Sequence, residues 1–456
     1  MRQVDFSEGS ITKSIFQTAM PMLAAQMLNL LYNIVDRVYV GRIPEAGTAA
    51  LGAIGLCFPI IVMIAAFTGL YGNGGSPLFA IARGKNEDKA AEVIMNLAFV
   101  LEVGTALILM IIVWVFARPI LYLFGASDAA MSYALPYIRI YMLGTVFSMI
   151  ATGMNPYINA QGFPLAGMAS VTVGALANII LDPVFIFRFG WGVRGAAAAT
   201  VISQCISAVF VLFFLTKRSR IRIRRMGFGE VRANKKKIFD ITALGTASFV
   251  MQFTNSLVQI CCNNVLGRCG GDVYISIMTI VSSVRQMLEL PIHAISEGSS
   301  PVISFNYGAK KPDRVKKGIL VMTLAGFIYA LFIWLLIILK PAFFIRIFSS
   351  DRTILKQAIP TLHLYFFAFI FMTLQYAGQT TFKALNKRGK AVFFSIFRKV
   401  IIVVPLTFIL PYLLGLGTDG VFMAEPVSNV IGGTACFITM ILTVMPELRR
   451  MRETMI

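Results

Sequence analysis

Long apolar segments separated by short polar ones make up almost the whole chain. An apolar segment of about 20 residues is long enough to cross the hydrocarbon core of a bilayer as a helix. About twelve segments reach that length. The sequence therefore predicts transmembrane helices at residues 15–40, 50–82, 90–116, 131–159, 165–187, 193–216, 238–266, 274–306, 317–345, 357–384, 391–413 and 420–444.

A basic polar segment, residues 217–237, divides these predicted helices six and six. The expected fold class is an all-α polytopic membrane protein with twelve transmembrane helices in two six-helix bundles. We expect an N-terminal lobe at residues 1–216, a basic cytoplasmic linker at 217–237 and a C-terminal lobe at 238–456.

The two halves resemble each other at a nearly constant offset along the chain. The segment Gly74–Gly84 matches Gly298–Gly308 with glycine, proline and glycine in register, and Gly192–Gly195 matches Gly417–Gly420. Because each half has an even number of helices, both would have the same orientation in the membrane. We expect a pseudo-two-fold axis along the membrane normal, the parallel-repeat arrangement of a class of secondary transporters.

The composition excludes a soluble globular protein. Hydrophobic residues make up 57% of the chain and charged residues 14%, whereas soluble chains are about 45–50% apolar and about 25% charged. The polar start of the chain contains acids and lacks the basic region of a signal peptide. We therefore expect the first helix to remain in the mature protein.

The net charge of +20 would suggest a nucleic-acid partner in a soluble protein. Here the basic clusters follow even-numbered helices, so the positive-inside rule predicts that both termini are cytoplasmic. We expect a multi-pass membrane protein and no nucleic-acid partner. The alternating basic patch Arg220–Arg225 is expected to contact anionic membrane lipid.

No sequence motif indicates a cofactor or direct use of ATP. The chain has neither a G-x-x-x-x-G-K-[ST] phosphate loop nor a strand-led G-x-G-x-x-G. The six cysteines show no C-x-x-C spacing and there are only two histidines, which makes a His/Cys metal site unexpected. A transporter built from this chain would be driven by an ion gradient or by the gradient of its own substrate.

The most informative stretch runs from Asn178 to Pro183, because it places Asp182 in an apolar run. A charged side chain near the bilayer centre costs roughly 2.5–3.5 kcal/mol and marks an ion or substrate path. Asn178 lies four residues earlier, on the same helical face. Pro183 lacks an amide hydrogen, so the carbonyl of Ile179 is expected to lose its helical partner. The stretch therefore predicts half of a cation site.

Asp36, in the first helix, is the second acid expected at this site. Two carboxylates in one low-dielectric pocket cannot both ionise cheaply, which suits proton uptake and release. If both are ionised, oxygens of Asn178 and Thr200 can complete a site for a hard cation such as Na⁺. The coupling ion is thus H⁺ or Na⁺, and the candidate sodium site is Asp36, Asn178, Asp182 and Thr200. Each aspartate can instead have a structural role, as a helix cap or in a salt bridge to Arg37 or Arg188.

The second half lacks acids at the positions equivalent to Asp36 and Asp182. Glu289 follows Arg285 by four residues and is expected to pair with it. Amides of the seventh helix can either bind substrate or join helices, and methionine and aromatic side chains suit lipophilic cations. The candidate substrate-binding residues are Asn33, Gln252, Asn255, Gln259, Met287, Tyr376 and Glu425.

Several motifs in order resemble the bacterial multidrug and toxic compound extrusion (MATE) family of transporters. They are Pro21 followed by Asn33–Gly41, then Ala160–Gly162, Asn178–Pro183, Gly192–Thr200 and Gln379–Leu385. The resemblance covers essentially the whole chain. It implies two helical bundles that open alternately to the two sides of the membrane. It also implies export of organic cations against inward flow of sodium ions or protons.

Residue by residue, the resemblance places a cation site in the first lobe, at Asp36, Asn155, Asn178, Asp182 and Thr200. Other branches of the family carry functional acids in the seventh and tenth helices. Here the seventh helix has Asn255 at that place and the tenth, residues 357–384, has no acid. The resemblance therefore favours the branch whose acidic site lies in the N-terminal lobe.

We therefore expect a monomeric antiporter that exports amphipathic organic cations in exchange for H⁺ or Na⁺ and needs no cofactor. One alternative is a flippase for lipid-linked oligosaccharides, whose cavity should be lined by several basic residues. The main basic residues within the predicted helices are Arg139, Arg285 and Arg398. A less favoured alternative is an intramembrane enzyme, which would need a nucleophile or a metal site.

Overall fold

The computed structural model describes residues 3–44, 47–124, 126–347 and 352–454. In this part of the chain nearly every residue is helical and no strand occurs. The chain forms two compact units. One comprises Met1–Asp5 and Pro21–Gly245, and the other comprises Phe6–Met20 and Thr246–Ile456.

The helices of the first half follow one another closely. They are α1 (Ile11–Gly41), α2 (Gly47–Gly84), α3 (Asp88–Leu123), α4 (Asp128–Leu143), α5 (Thr145–Gly153), α6 (Asn155–Ala160), α7 (Pro164–Pro183), α8 (Val193–Phe213), α9 (Phe228–Ala233) and α10 (Lys235–Cys269). The division between the two compact units falls inside α1 and α10.

The second half continues in the same way. Its helices are α11 (Gly271–Gly308), α12 (Pro312–Leu339), α13 (Pro341–Arg346), α14 (Arg352–Phe366), α15 (Phe369–Ala384), α16 (Arg388–Ile396), α17 (Val404–Phe408), α18 (Gly417–Ser428) and α19 (Thr434–Glu453). Within the described ranges, π-helical turns continue several of these helices, at Val184–Arg188, Phe214–Arg218, Phe397–Val403, Ile409–Leu413 and Asn429–Gly433.

The helices are long and apolar enough for a multi-pass membrane protein. Among the described residues, eight helical stretches meet the length and composition of a membrane span, and two bent helix pairs raise the number to ten. Helices α1 and α10, of 31 and 35 residues, exceed the roughly 20 residues that a span requires. These twelve stretches correspond to the twelve predicted spans.

Two predicted spans are bent rather than continuous. The predicted span 131–159 bends by 55° between Asp128–Leu143 and Thr145–Ala160, and the span 357–384 bends by 42°. At the first bend the amide of Gly144 donates to the carbonyl of Tyr141, which tightens the turn. A Cβ on Gly144 would lie 2.8 Å from Gln204 Oε1. A side chain at Gly144 would therefore require the Gln204 and Val201 side chains of α8 to move.

The predicted span 317–345 extends past the end of its helix. Helix α12 ends at Leu339, and α13 starts at Pro341 after Lys340, whose φ of −138° is not helical. Proline lacks the amide hydrogen that would continue the earlier helix. The prediction treated one continuous apolar run as one helix, although proline ends the helix inside that run.

The helix boundaries of the first half repeat in the second half at a constant offset. Helices α2 and α11 both have 38 residues. In four pairs of helices the first residues are separated by the same number of residues. The pairs are α2 and α11, α3 and α12, α7 and α16, and α8 and α18. Gly162 and Asn386 are related by the same offset, and both have a left-handed backbone, with φ of 86° and 57°. The internal repeat predicted from sequence is thus present in local structure.

The first unit packs mainly around α2 and α8. Helix α2 contacts α3, α4, α5 and α6, while α8 contacts α4, α5 and α7. On α3, Ile108, Ile111 and Val115 are exposed at helical spacing, which is the pattern of a lipid-facing surface. In the second unit, α15 packs against α11, α12, α16 and α19, and α18 packs against α14 and α17.

Candidate functional site

Asp182 lies in the last turn of α7, directly before Pro183 and a π-helical turn. Its side chain is fully buried. The Asn178 Nδ2 atom donates a hydrogen bond of 3.2 Å to Asp182 Oδ1 and lies 3.5 Å from Thr200 Oγ1 on α8. The predicted helical face therefore forms, and Asn178 connects the acid to the hydroxyl of the neighbouring helix.

Asp36 joins this group from the last part of α1. Its carboxyl lies within hydrogen-bonding reach of the carboxyl of Asp182. Two carboxyl groups can form such a bond only when one of them carries a proton. The two carboxyls thus form a pair that can hold one proton between them.

Apart from a proton shared by the two carboxyls, several buried oxygens of this group accept no hydrogen bond in the described part of the chain. They are Asp36 Oδ1, Asp182 Oδ2 and Asn178 Oδ1. Buried acceptors of this kind are normally satisfied, so the group has a capacity for a proton or a hard cation. The acids form no salt bridge with Arg37 or Arg188 among the described contacts. Arg37 still interacts electrostatically with Asp36, and its guanidinium lies over the ring of Phe58 at 5.8 Å.

Tyrosines that the sequence reasoning missed surround the carboxyl pair. Tyr32, Tyr137 and Tyr141 all interact electrostatically with Asp36, and the rings of Tyr137 and Tyr141 stack at 6.0 Å. The i,i+4 spacing of Tyr137 and Tyr141 in the fourth apolar segment is the signal that could have revealed them. Tyr137 and Tyr141 therefore place α4 beside Asp36.

A polar cavity of about 100 Å³ adjoins the carboxyl pair. Its polar lining comes from α1, α5, α7 and α8: Asn29, Tyr32, Ser148, Thr152, Ser170, Asn178, Thr200, Ser203, Gln204 and Ser207. The cavity has room for an ion or for several water molecules.

The structure does not bring Asn155 to the carboxyl pair, contrary to the family-based expectation. The Asn155 amide donates to Gly167 O at 2.9 Å and to Ser170 Oγ at 2.8 Å. Ser170 precedes Asp182 by about 18 Å along the helix, at the usual helical rise. Asn155 instead joins α6 to the opposite end of α7, because its donors are taken by the small residues there.

The other candidates of the first half and of α10 are either exposed or engaged in contacts within and between helices. Asn33 is exposed and donates to Asn29 O at 2.7 Å. Gln252 and Asn255 are exposed on α10. Gln259 donates to Asn263 at 3.0 Å and accepts from Ser282 of α11 at 3.4 Å. For Gln259 the contacts match the alternative in which an amide joins helices.

Met287 and Tyr376 belong to the packing of the second unit. Both side chains are partly buried against its larger apolar cluster. The Tyr376 ring also meets the His293 ring edge to face, with centroids 6.0 Å apart. These contacts account for the burial of both residues and leave a substrate role as a prediction.

Glu425 lies in a buried ion-pair network. Its Oε1 atom is 2.9 Å from Arg285, 2.8 Å from Arg398 and 2.8 Å from Lys399. Arg285 also pairs with Glu289 at 3.0 Å, as the sequence predicted. The network neutralises the charge of Glu425, so the structure offers no free carboxylate at this position for an organic cation.

Comparison with known families identifies the chain. The profile of the family described as MatE matches residues 21–184 and again residues 247–409. This chain belongs to the MATE family. Because the same profile matches both halves, the two halves are related to each other. This agrees with the constant offset between their helices. MATE proteins are membrane transporters, so the chain is a transporter rather than an enzyme.

Two relatives illustrate the match to this MATE-family chain. It is 26% identical over 420 residues to the multidrug export protein MepA of Staphylococcus haemolyticus (strain JCSC1435), covering 90% of this chain and 89% of that protein. It is 22% identical over 411 residues to the multidrug export protein MepA of Staphylococcus aureus (strain MRSA252), covering 90% of each.

Solved MATE structures share the fold. A MATE family transporter of the MOP superfamily, in an outward-facing conformation, gives a TM-score of 0.90 at 21% identity over 99% of both chains. A MATE structure in a bent conformation gives 0.91 at 21% identity, over 100% of this chain and 99% of that one. The predicted fold class, an all-α polytopic membrane protein with twelve transmembrane helices in two bundles, is confirmed.

Proposed function

We propose that this MATE-family transporter exports amphipathic organic cations, including drugs, in exchange for a cation bound at Asp36 and Asp182. The observation that carries the proposal is the contact between the buried carboxyl of Asp182 and the partly buried carboxyl of Asp36. The names of the MepA relatives, multidrug export proteins, support the substrate class. Alternating access follows as the mode of transport that fits a two-bundle transporter.

The carboxyl pair favours H⁺ as the coupling ion. Two adjacent carboxylates in a buried site repel each other strongly, and one proton removes that repulsion. Release of the proton leaves two negative charges, which an organic cation can neutralise in turn. Competition between the proton and the organic cation for the same negative charge then couples their movements.

Sodium is the alternative coupling ion at the same residues. Na⁺ prefers oxygen ligands. The unpartnered oxygens of Asp36, Asn178 and Asp182, together with the Thr200 hydroxyl, supply that type of ligand. A sodium ion would bind there with both acids ionised, whereas coupling to protons requires one acid to be protonated.

The basic residues of the second unit do not favour the flippase alternative. A flippase for an anionic lipid-linked oligosaccharide needs basic groups that are free to bind phosphate. Among the described contacts, Arg285, Arg398 and Lys399 share Glu425, and Arg285 also pairs with Glu289, so each of these bases is held by an acid although the network has more bases than acids.

We place the transporter in the bacterial plasma membrane, surrounded by lipid, as a monomer with both termini in the cytoplasm.

The deciding experiment is transport of a fluorescent organic cation such as ethidium in proteoliposomes. Proton and sodium gradients are imposed separately, and vesicles without a gradient serve as the control. We expect proton flow in the direction opposite to organic-cation transport to drive accumulation of the organic cation above its equilibrium concentration. Accumulation with the sodium gradient alone would assign Na⁺ instead. No response to either gradient would overturn the antiport proposal.

A further inference from the structure

A buried acid on α3, Glu102, has no place in the site described above. It is fully buried and lies about 21 Å along the helix from Asp88, the first residue of α3. Neither carboxyl oxygen has a hydrogen-bond partner within the described ranges. A carboxyl in the middle of a span without partners is costly as an ion, and intramembrane acids mark ion or proton paths.

Glu102 occupies a gap that glycines create between three helices. A Cβ on Gly153 of α5 would lie 2.0 Å from Glu102 Oε1 and 2.4 Å from its Cδ. A Cβ on Gly72 of α2 would lie 2.7 Å from the carbonyl oxygen of Gly153. Glycine at both positions lets the backbones of α2 and α5 approach each other, with the Glu102 side chain of α3 in contact with Gly153. The carboxyl of Glu102 thus rests directly on the backbone of α5.

The titratable group of another helix that interacts with Glu102 is Tyr157. The Tyr157 hydroxyl of α6 donates to Tyr71 O at 3.0 Å, and the Tyr71 hydroxyl of α2 bonds Thr105 of α3 at 2.9 Å. No basic side chain contacts Glu102 in the part of the chain that the structure describes. An ionised Glu102 would have no compensating charge here, so the protonated form belongs to this conformation.

The end of α5 separates Glu102 from the polar cavity. Ser148, Ala151 and Thr152 line the cavity, and the next residue, Gly153, contacts Glu102. Helix α5 ends at Gly153 and α6 starts at Asn155. Because Gly153 has no side chain, a small shift of this helix end can open a path between Glu102 and the cavity. The same cavity reaches Asn178 and, through it, Asp182.

We propose that Glu102 is a second proton-binding site of the first unit, which exchanges its proton with the polar cavity when α5 shifts at Thr152–Met154. In this step the O–H bond of the Glu102 carboxyl breaks, water in the cavity accepts the proton, and the carboxylate remains. This second site rests on the proposed function for its role in transport. Its protonation can be measured without any transport.

The test is infrared difference spectroscopy of the purified protein in lipid vesicles, between acid and alkaline pH. The C=O stretching band reports protonated carboxyls and shifts in D₂O when their protons exchange. The double variant Asp36→Asn/Asp182→Asn is compared with the triple variant that adds Glu102→Gln. We expect the double variant to keep one exchanging, pH-dependent band of a buried carboxyl and the triple variant to lose it. Identical difference spectra for the two would overturn the proposal.

A second pair of variants checks the geometry if the triple variant fails to fold. Gly153→Ala places a methyl group where the Glu102 carboxyl lies, so it should shift the same band in the otherwise native protein. Gly104→Ala is the control, because a Cβ at this other position of α3 would meet open space and should leave the band unchanged. An unshifted band in Gly153→Ala would also count against the proposal.

The outcomes separate this proposal from the antiport proposal. A pH-dependent Glu102 band together with full efflux by Asp36→Asn would remove the Asp36 assignment and keep the second proton site. A Glu102 band that never changes, together with loss of efflux in Asp36→Asn, would remove only the second site. In that case Glu102 is a permanently protonated packing residue.

Discussion

The carboxyls of Asp36 and Asp182 lie within hydrogen-bonding reach of each other, although they come from α1 and α7. Neither acid forms a salt bridge with a basic side chain among the described contacts. Their shared negative charge is therefore available to a proton or cation. This relationship makes the two acids one functional unit.

Asp36→Asn and Asp182→Asn should each abolish gradient-driven efflux of a fluorescent organic cation in proteoliposomes. The double variant should be no worse than either single variant, because residues that act as a unit are not additive. Asp313→Asn is the matched control, since that acid is exposed and pairs only loosely with Arg452 at 3.5 Å. Full efflux by either single variant, at equal protein in the vesicles, would contradict the assignment.

Asn178→Ala should slow efflux by roughly tenfold without unfolding the protein. The variant removes the donor to Asp182 Oδ1, and a hydrogen bond to a charged group contributes about 1.5–3 kcal/mol. The ionised acid is then less stable, so proton release is disfavoured. Asn234→Ala, which removes a side-chain bond to Glu230 O outside the predicted spans, should keep the wild-type rate. Equal rates for both variants would refute a role of Asn178.

Glu425→Gln should lower the unfolding free energy by about 3–5 kcal/mol, the cost of leaving buried charges without a partner. Arg285, Arg398 and Lys399 would all lose their shared acid. Glu289→Gln is the control and should cost less, because Arg285 would still contact Glu425. Denaturant unfolding in detergent measures both. A smaller loss for Glu425→Gln than for Glu289→Gln would show that the network is not centred on Glu425.

Gln161→Ala should release the basic segment from the first unit. The Gln161 side chain donates to Ile221 O at 3.1 Å and accepts from Ile221 N at 3.0 Å, and all these groups are buried. The variant leaves the buried amide of Ile221 without this acceptor, which costs about 1–3 kcal/mol. Trypsin should then cut between Lys217 and Lys237 faster than in wild type. Gln252→Ala, at an exposed position, should leave the cleavage rate unchanged.

Much of the fold could be predicted from sequence, since a helix in a bilayer must satisfy its backbone hydrogen bonds within itself. That constraint is local, so apolar length alone located the spans, and the Asn178–Asp182 and Arg285–Glu289 contacts followed from i,i+4 spacing. The sequence did not predict the bend at Gly144 or the helix end before Pro341. Both lie inside apolar runs, where hydrophobicity does not reveal a break.

The sequence by itself determined the membrane class, the internal repeat and the acidic stretch of the first half, because each depends on neighbours along the chain. Only the tertiary structure decided which polar groups meet. It separated Asn155 from the acids, surrounded Glu425 with Arg285, Arg398 and Lys399, and buried Glu102 against a glycine of α5. Those contacts depend on how helices distant in sequence rotate and approach one another, and local periodicity does not encode that.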